Sequence, residues 1–283
     1  MDPYRTSTVR LVSAVAPRDQ RPSLAELQLV ASDYDGTLLG ADREISATTS
    51  GVLAELADTH VEIVVITGRP PRYCHNILAQ IGVEATLICA NGALGYDPVT
   101  NEITQYANLD LAVAHQIIGD VLTEHPDAGF SAEMGSSFVA ERRWYTAAGR
   151  PVEGEILDLR HHLDERIHKL LVSLPGRTPD EALRHITQIT GSRANPMHAG
   201  LPFIELMPPG VDKAFGLERH CADRNIDRRA VLSFGDMPND VAMLAWAGWG
   251  VAVGNAHEMA KAAADEVTKT NVDDGVAHVL AGL

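Results

Sequence analysis

The chain has 283 residues, 45% hydrophobic and 22% charged, which is long for one ordinary domain and too apolar for a disordered polypeptide. A formal net charge of -15 and a pI near 5.1 argue against nucleic acid as a partner, because its binders cluster Lys and Arg against the phosphate backbone. A small anionic ligand stays open, since a bound divalent cation and a few local cations outweigh distant surface charge.

Residues 1–26 mix Arg, Asp, Pro and Ser around a brief apolar run at Leu11 to Ala16, too short for a signal-peptide core. They are expected to form a flexible or loosely docked extension of a cytoplasmic protein. Leu27 to Ser32 reads as a strand running into the loop Asp33-Tyr34-Asp35-Gly36-Thr37. Ser46 caps a helix whose Val52, Leu53, Leu56 and Ala57 share a face, and Val61 to Ile66 is a β-branched strand covered on both sides. Pro70 and Pro71 open a further helix to about Gly82, and Thr86 to Ala90 is a third buried strand.

This alternation predicts a parallel, doubly wound α/β sheet, with ligands at the carboxyl ends of its strands. From about Gly95 to Arg193 the texture changes to shorter strands at Phe130 to Glu133, Phe138 to Glu141 and His168 to Leu174, separated by helical patterns at Leu109 to Glu124 and Pro179 to Ile189. That segment, 95–193, reads as an α+β insertion. The core pattern resumes with Phe203 to Leu206, a helix from about Lys213, Val231 to Phe234, a helix from Pro238, and Trp249 to Val253. The core is thus expected to comprise 27–94 and 194–283. The longest apolar stretch, Val241 to Val253, is too short for a bilayer and is broken by Gly248 and Gly250.

Two loops carry the chemistry. Asp33 and Asp35 follow the first strand, and alternate residues of an extended segment project the same way, which suits a nucleophile beside an acid/base. An Asx-turn is the plain structural alternative. The second acidic loop, Gly235-Asp236-Met237-Pro238-Asn239-Asp240, decides between them, because two carboxylate loops at one sheet edge supply the oxygen ligands of a hard divalent cation. Between them lie Thr67 within Ile66-Thr67-Gly68-Arg69, and Lys213 near a helix start. A hydroxyl, a cation and a metal ion around a carboxylate nucleophile make a phosphoryl-binding constellation.

This ordered set resembles the Cof-type branch of the haloacid dehalogenase-like hydrolases, over nearly everything from Leu27 to the C-terminus. Asn91-Gly92-Ala93, Val253-Gly254-Asn255-Ala256, Asn271, Asp274, Gly275 and Val276 add to the likeness. The resemblance implies a Rossmann-like core with helices on both faces and an inserted α+β cap. It implies that Asp33 attacks phosphorus and that Asp35 protonates the leaving group and then activates water. It also implies Mg²⁺ held by Asp33, the Asp35 carbonyl and Asp236, supported by Asn239 and Asp240, with Thr67, Gly68, Asn91 and Lys213 around the phosphate. Ala214 departs from the branch, which usually has Gly after the lysine; its methyl could narrow the backbone's approach to the site but favours the helix, and activity is expected to persist.

The expected activity is hydrolysis of a small phosphate monoester, such as a sugar phosphate or related phosphometabolite. A phosphomutase and a non-catalytic phosphometabolite sensor are the competing readings. No membrane partner is expected, and the oligomeric state is left open. Three dispersed cysteines, Cys74, Cys89 and Cys221, read as buried small hydrophobes in a reducing compartment. His161-His162 reads as a solvated face, and Trp144, Tyr145, Arg142 and Arg143 form a cationic-aromatic cluster that reads either as a contact for an anionic or sugar substrate or as ordinary packing and surface charge.

Overall fold

The computed structural model describes residues 21–152 and 156–283, so most of the expected N-terminal extension lies outside the described residues. Its described end turns at Ser23 to Leu27, and Arg21 pairs with Glu266 at 3.4 Å. The rest divides into two compact units: Ala107–Val211, and the described residues up to Tyr106 together with Asp212–Leu283.

The larger unit is built on an eight-stranded sheet. Its order is Glu266–Val267, Trp249–Ala252, Val231–Gly235, Leu29–Ser32, Glu62–Ile66, Thr86–Cys89, Leu94–Asp97 and Glu102–Gln105. The first six strands are parallel and the last two antiparallel. Leu29, Ala31, Val64, Ile66 and Ile88 pack on one face against Leu217 and Cys221 of helix Lys213–Arg224 and Met243 and Trp246 of helix Val241–Trp246. Alternate residues of the same strands, Val30, Ile63, Val65, Leu87 and Leu232, are buried on the other face. The central strand Leu29–Ser32 sits between neighbours that run away from it in opposite directions of chain order, which opens a crevice beyond its carboxyl end.

The smaller unit holds an antiparallel five-stranded sheet in the order Ser137–Ala140, Gly129–Met134, Ile167–Ser173, Ile204–Met207, Asn195–Met197. Phe130, Ala132, Leu170, Val172, Ile204 and Leu206 pack on helices Leu111–Glu124 and Pro179–Thr190. Thr178 caps the latter with a capping box to Glu181. The opposite sheet face carries the buried ion pair of Lys169 with Glu205, and Trp144 and Tyr145 packed with Leu171 and Phe203.

The strand expected in the core at Phe203 to Leu206 is therefore a strand of the small sheet, bonded to Ile167–Ser173. Conversely, Leu94–Asp97 and Glu102–Gln105 extend the large sheet from its edge strand rather than opening the insertion. The units thus part at 106/107 and 211/212 instead of 94/95 and 193/194. Strand texture is local while pairing is not, so composition does not reveal which sheet a short strand joins. The helix expected from Pro70 to Gly82 is also broken, into a 3₁₀ turn Pro71–Tyr73 and a short helix Ile77–Ile81.

Candidate active site

Leu29–Ser32 is fully buried and ends where Asp33 begins, so Asp33 is delivered to the carboxyl edge at 5% exposure. Its amide donates to Phe234 O, which ties it to the neighbouring strand and to the second acidic loop. Asp35 enters a turn completed by Gly36 at φ +83°, where a Cβ would stand 2.5 Å from Asp236 Oδ2. The exposed Asp35 carboxylate pairs with Arg69 at 2.6 Å.

The second loop is built around Asp240. Its Oδ2 accepts from the amides of Asp236 (3.0 Å) and Met237 (2.9 Å), and Pro238–Asp240 forms one 3₁₀ turn. Its Oδ1 accepts from Lys213 Nζ at 2.6 Å, and Lys213 also bonds Asp33. Asp240 thus belongs to the carboxylate cluster itself: ligand oxygens of Asp33, Asp236 and Asp240 lie within 4.8 Å of one another, all buried. Asp35 contributes no side-chain oxygen to that cluster. Thr37 Oγ1, four residues after Asp33, donates to Asp236 Oδ1 at 3.0 Å.

Lys213 is the first residue of its helix, capped by Asp212, whose side chain accepts from Phe215 N. The helix start reaches the site because glycines meet: a Cβ on Gly216 would stand 2.7 Å from Gly92 Cα. Ala214, two residues earlier, points into the apolar cluster of Leu29, Ile88 and Leu217. Its methyl is core packing, and the close approach is served by Gly216.

Thr67 is buried, with its amide on Ile88 O and its Oγ1 accepting from Arg69 N at 3.1 Å. Asn91, at φ 51°, donates its amide to Thr67 O, and its Oδ1 accepts from Asn239 Nδ2 at 3.0 Å. A Cβ on Gly68 would stand 3.1 Å from that same Oδ1. Asn239 keeps a buried Oδ1 with no partner among the described residues. The closing motif braces the nucleophile loop from behind: Asn255 Nδ2 donates to Gly36 O (2.9 Å) and Asn271 Nδ2 to Leu39 O (2.7 Å).

Three buried carboxylates against one ammonium leave the cluster short of positive charge. Burial, helped by the Asp240 and Asp236 charges, raises Asp33 well above the carboxylate range despite Lys213. Burial and Asp240 push Asp236 up to about 6, against Lys213 and the Thr37 hydroxyl. Burial alone would lower Lys213, but Asp240 and Asp33 outweigh it and hold the ammonium protonated. An all-oxygen set with excess negative charge and the orphaned Asn239 Oδ1 suits a hard divalent cation carrying waters.

Residues 30–280 match the family described as haloacid dehalogenase-like hydrolase. The chain belongs to that family. The Cof-type resemblance read from the motifs is borne out by its relatives. This hydrolase is 28% identical over 263 residues to the 5-amino-6-(5-phospho-D-ribitylamino)uracil phosphatase YitU of Bacillus subtilis, covering 89% of this chain and 96% of the relative. It is 28% identical over 243 residues to the HMP-PP phosphatase of Serratia proteamaculans, covering 81% and 84%. A solved haloacid dehalogenase-like hydrolase from B. subtilis superposes with a TM-score of 0.76 at 24% identity, covering 91% of this chain and 100% of that one, and so shares the fold. No helix among the described residues is long and apolar enough to cross a membrane.

Of the residues singled out from the sequence, Asp33, Asp236, Asp240 and Lys213 meet directly, and Thr67, Gly68, Asn91 and Asn239 form a second connected group. Sequence reasoning left Arg69 and Thr37 without roles, although both stand inside the quoted motifs. Arg69 carried a signal, being a cation two residues after Thr67.

Proposed function

We propose that this hydrolase is a Mg²⁺-dependent phosphatase of small phosphorylated metabolites, working through an aspartyl phosphate on Asp33. The observation that carries the reading is the buried Asp33–Lys213–Asp240–Asp236 cluster at the carboxyl end of the central strand. Bound Mg²⁺ would neutralise developing phosphoryl charge, held by Asp33, Asp236 and the Asp35 carbonyl, with Asp240 and Asn239 supporting.

Lys213, tied between Asp33 and Asp240, keeps its charge next to the nucleophile and stabilises the equatorial oxygens of the transferring group. Thr67, Gly68 and Asn91 would line the same phosphoryl pocket with a hydroxyl and amide donors. Asp33 attacks phosphorus; Asp35 gives a proton to the leaving oxygen and recovers one from the water that attacks the acyl phosphate. Burial of Asp33 excludes bulk water from its carboxylate. The substrate is a sugar phosphate or a related phosphometabolite, in keeping with the phosphatase names of the relatives. Three cysteines kept as thiols accord with a cytoplasmic location. The smaller unit, 107–211, is the cap of this reading.

The test is phosphate release from a panel of phosphorylated metabolites, with Mg²⁺ and with chelator, on wild type and Asp33→Asn. Magnesium-dependent release that vanishes in the variant is expected. Release that survives in Asp33→Asn would sink the assignment of the nucleophile.

A further inference from the structure

Beside the buried cluster, Arg69 is held at several points by the very segments that carry the site. Its Nε donates to Asp35 Oδ2 at 2.7 Å and its Nη2 to Asp35 Oδ1 at 2.6 Å, a fork on both oxygens. Its guanidinium carbon lies 4.9 Å from the Tyr34 ring centroid, and Nη1 reaches Tyr73 O at 3.4 Å. Its amide donates to Thr67 Oγ1 and its carbonyl accepts from Ala90 N. Tyr34 is fully buried and anchored in turn by a hydrogen bond to Gln80.

An ordinary surface ion pair joins two mobile side chains and contributes little. This one differs in kind. The arginine side chain is only 22% exposed, stacked and forked, so its orientation is fixed before any ligand arrives. Asp35 by contrast sits in a turn, 46% exposed, and the fork is the tie that defines where its carboxylate points.

Resting on the phosphatase reading above, we infer that Arg69 is the positioning residue for Asp35. In the arrangement seen, both Asp35 oxygens are engaged and the carboxyl has none free to give a proton. One arm of the fork opens and the freed oxygen takes up a proton from solvent, while the other arm keeps the carboxyl oriented. The proton then passes from Asp35 to the leaving oxygen as the P–O bond breaks, and one returns from the water that hydrolyses the Asp33 acyl phosphate. Arg69 itself neither gains nor loses a proton.

The test compares Arg69→Ala and Arg69→Lys on an alkyl ester, glycerol phosphate, and an aryl ester, p-nitrophenyl phosphate, whose leaving group departs without protonation. Arg69→Ala is expected to lower kcat/KM, which reports the phosphorylation half-reaction, by roughly ten- to a hundredfold on the alkyl ester and within about twofold on the aryl ester, while hydrolysis of the acyl phosphate slows alike for both. Arg69→Lys should fall between, because an ammonium keeps the charge but loses the fork. Asp35→Asn with Arg69→Ala should be no slower than Asp35→Asn alone. Equal losses of kcat/KM on both esters, or weaker inhibition by orthophosphate, would overturn the inference and make Arg69 a phosphate ligand or a structural support. Failure of the phosphatase reading shows separately, as no release by wild type from either ester. The tie can still be read by NMR: the Arg69 Nε–H should exchange slowly in wild type and fast in Asp35→Ala, and no difference would overturn the proposal without any turnover.

Discussion

The two units solve the problem of burying charge in different ways. In the larger one, charge is concentrated where three chain segments converge: Asp33, Lys213, and the loop carrying Asp236 and Asp240 come from positions up to 207 residues apart and leave an excess of carboxylates. In the smaller one, Lys169, Glu205 and Glu133 are buried on adjacent strands of one antiparallel sheet, Lys169 paired with Glu205 and in register with Glu133, so the charges meet on a single sheet face. An unbalanced buried cluster costs folding free energy and is retained where a further cation or a reaction uses it.

Substitutions separate these two situations. The largest effect belongs to Asp33→Asn, which removes the nucleophile while keeping its shape; turnover should drop at least about 10³-fold, roughly 4 kcal/mol in the barrier, with the melting temperature held. A melting temperature that falls along with activity would mean that Asp33 is mainly structural.

In the smaller unit the order reverses. Glu205→Leu removes the ion-pair partner of the Lys169 ammonium, 1% exposed, leaving Glu133 across the strand, and should cost about 2 kcal/mol of stability by denaturant titration while Mg²⁺ binding to the folded protein is untouched. Loss of Mg²⁺ affinity in that variant would show that the contrast between the units is false.

Asp236 gives a subtler test because its folded pKa, about 6, lies above the usual carboxylate value. In the metal-free protein the folded state then holds a proton that the unfolded state has released, so Asp236 makes stability decline as pH rises from about 4 to about 6 and leaves it lower above that. Asp236→Asn should therefore stabilise the metal-free protein at pH 7 by about 2 kcal/mol, and remove most of the Mg²⁺-induced rise in melting temperature. A destabilised metal-free Asp236→Asn would contradict the charge imbalance.

Smallest of all is Ala214→Gly, which restores the residue usual in the Cof-type branch. Since the methyl packs into the core rather than the site, the change should cost about 1 kcal/mol of stability and leave kcat/KM unaltered. A faster enzyme would show that the methyl obstructs the phosphoryl pocket after all.

The sequence alone determined the alternation of buried strands and helices in the larger unit, and with it the edge on which Asp33, Thr67, Lys213 and Asp236 fall. Strand runs such as Glu62–Ile66 and caps such as Ser46 and Asp212 are local signals, set by neighbours a few residues away. Whatever depended on a turn or on nonlocal pairing was decided by the tertiary structure. The Arg69 fork engaged the Asp35 carboxylate, and the Lys213 contact drew Asp240 into the cluster. Hydrogen bonding to Ile167–Ser173 claimed Ile204–Met207 for the smaller sheet, and pairing with Thr86–Cys89 kept Leu94–Asp97 in the larger. A strand's own residues specify that it is extended and which faces are apolar; its partner is chosen by contacts made across the whole chain.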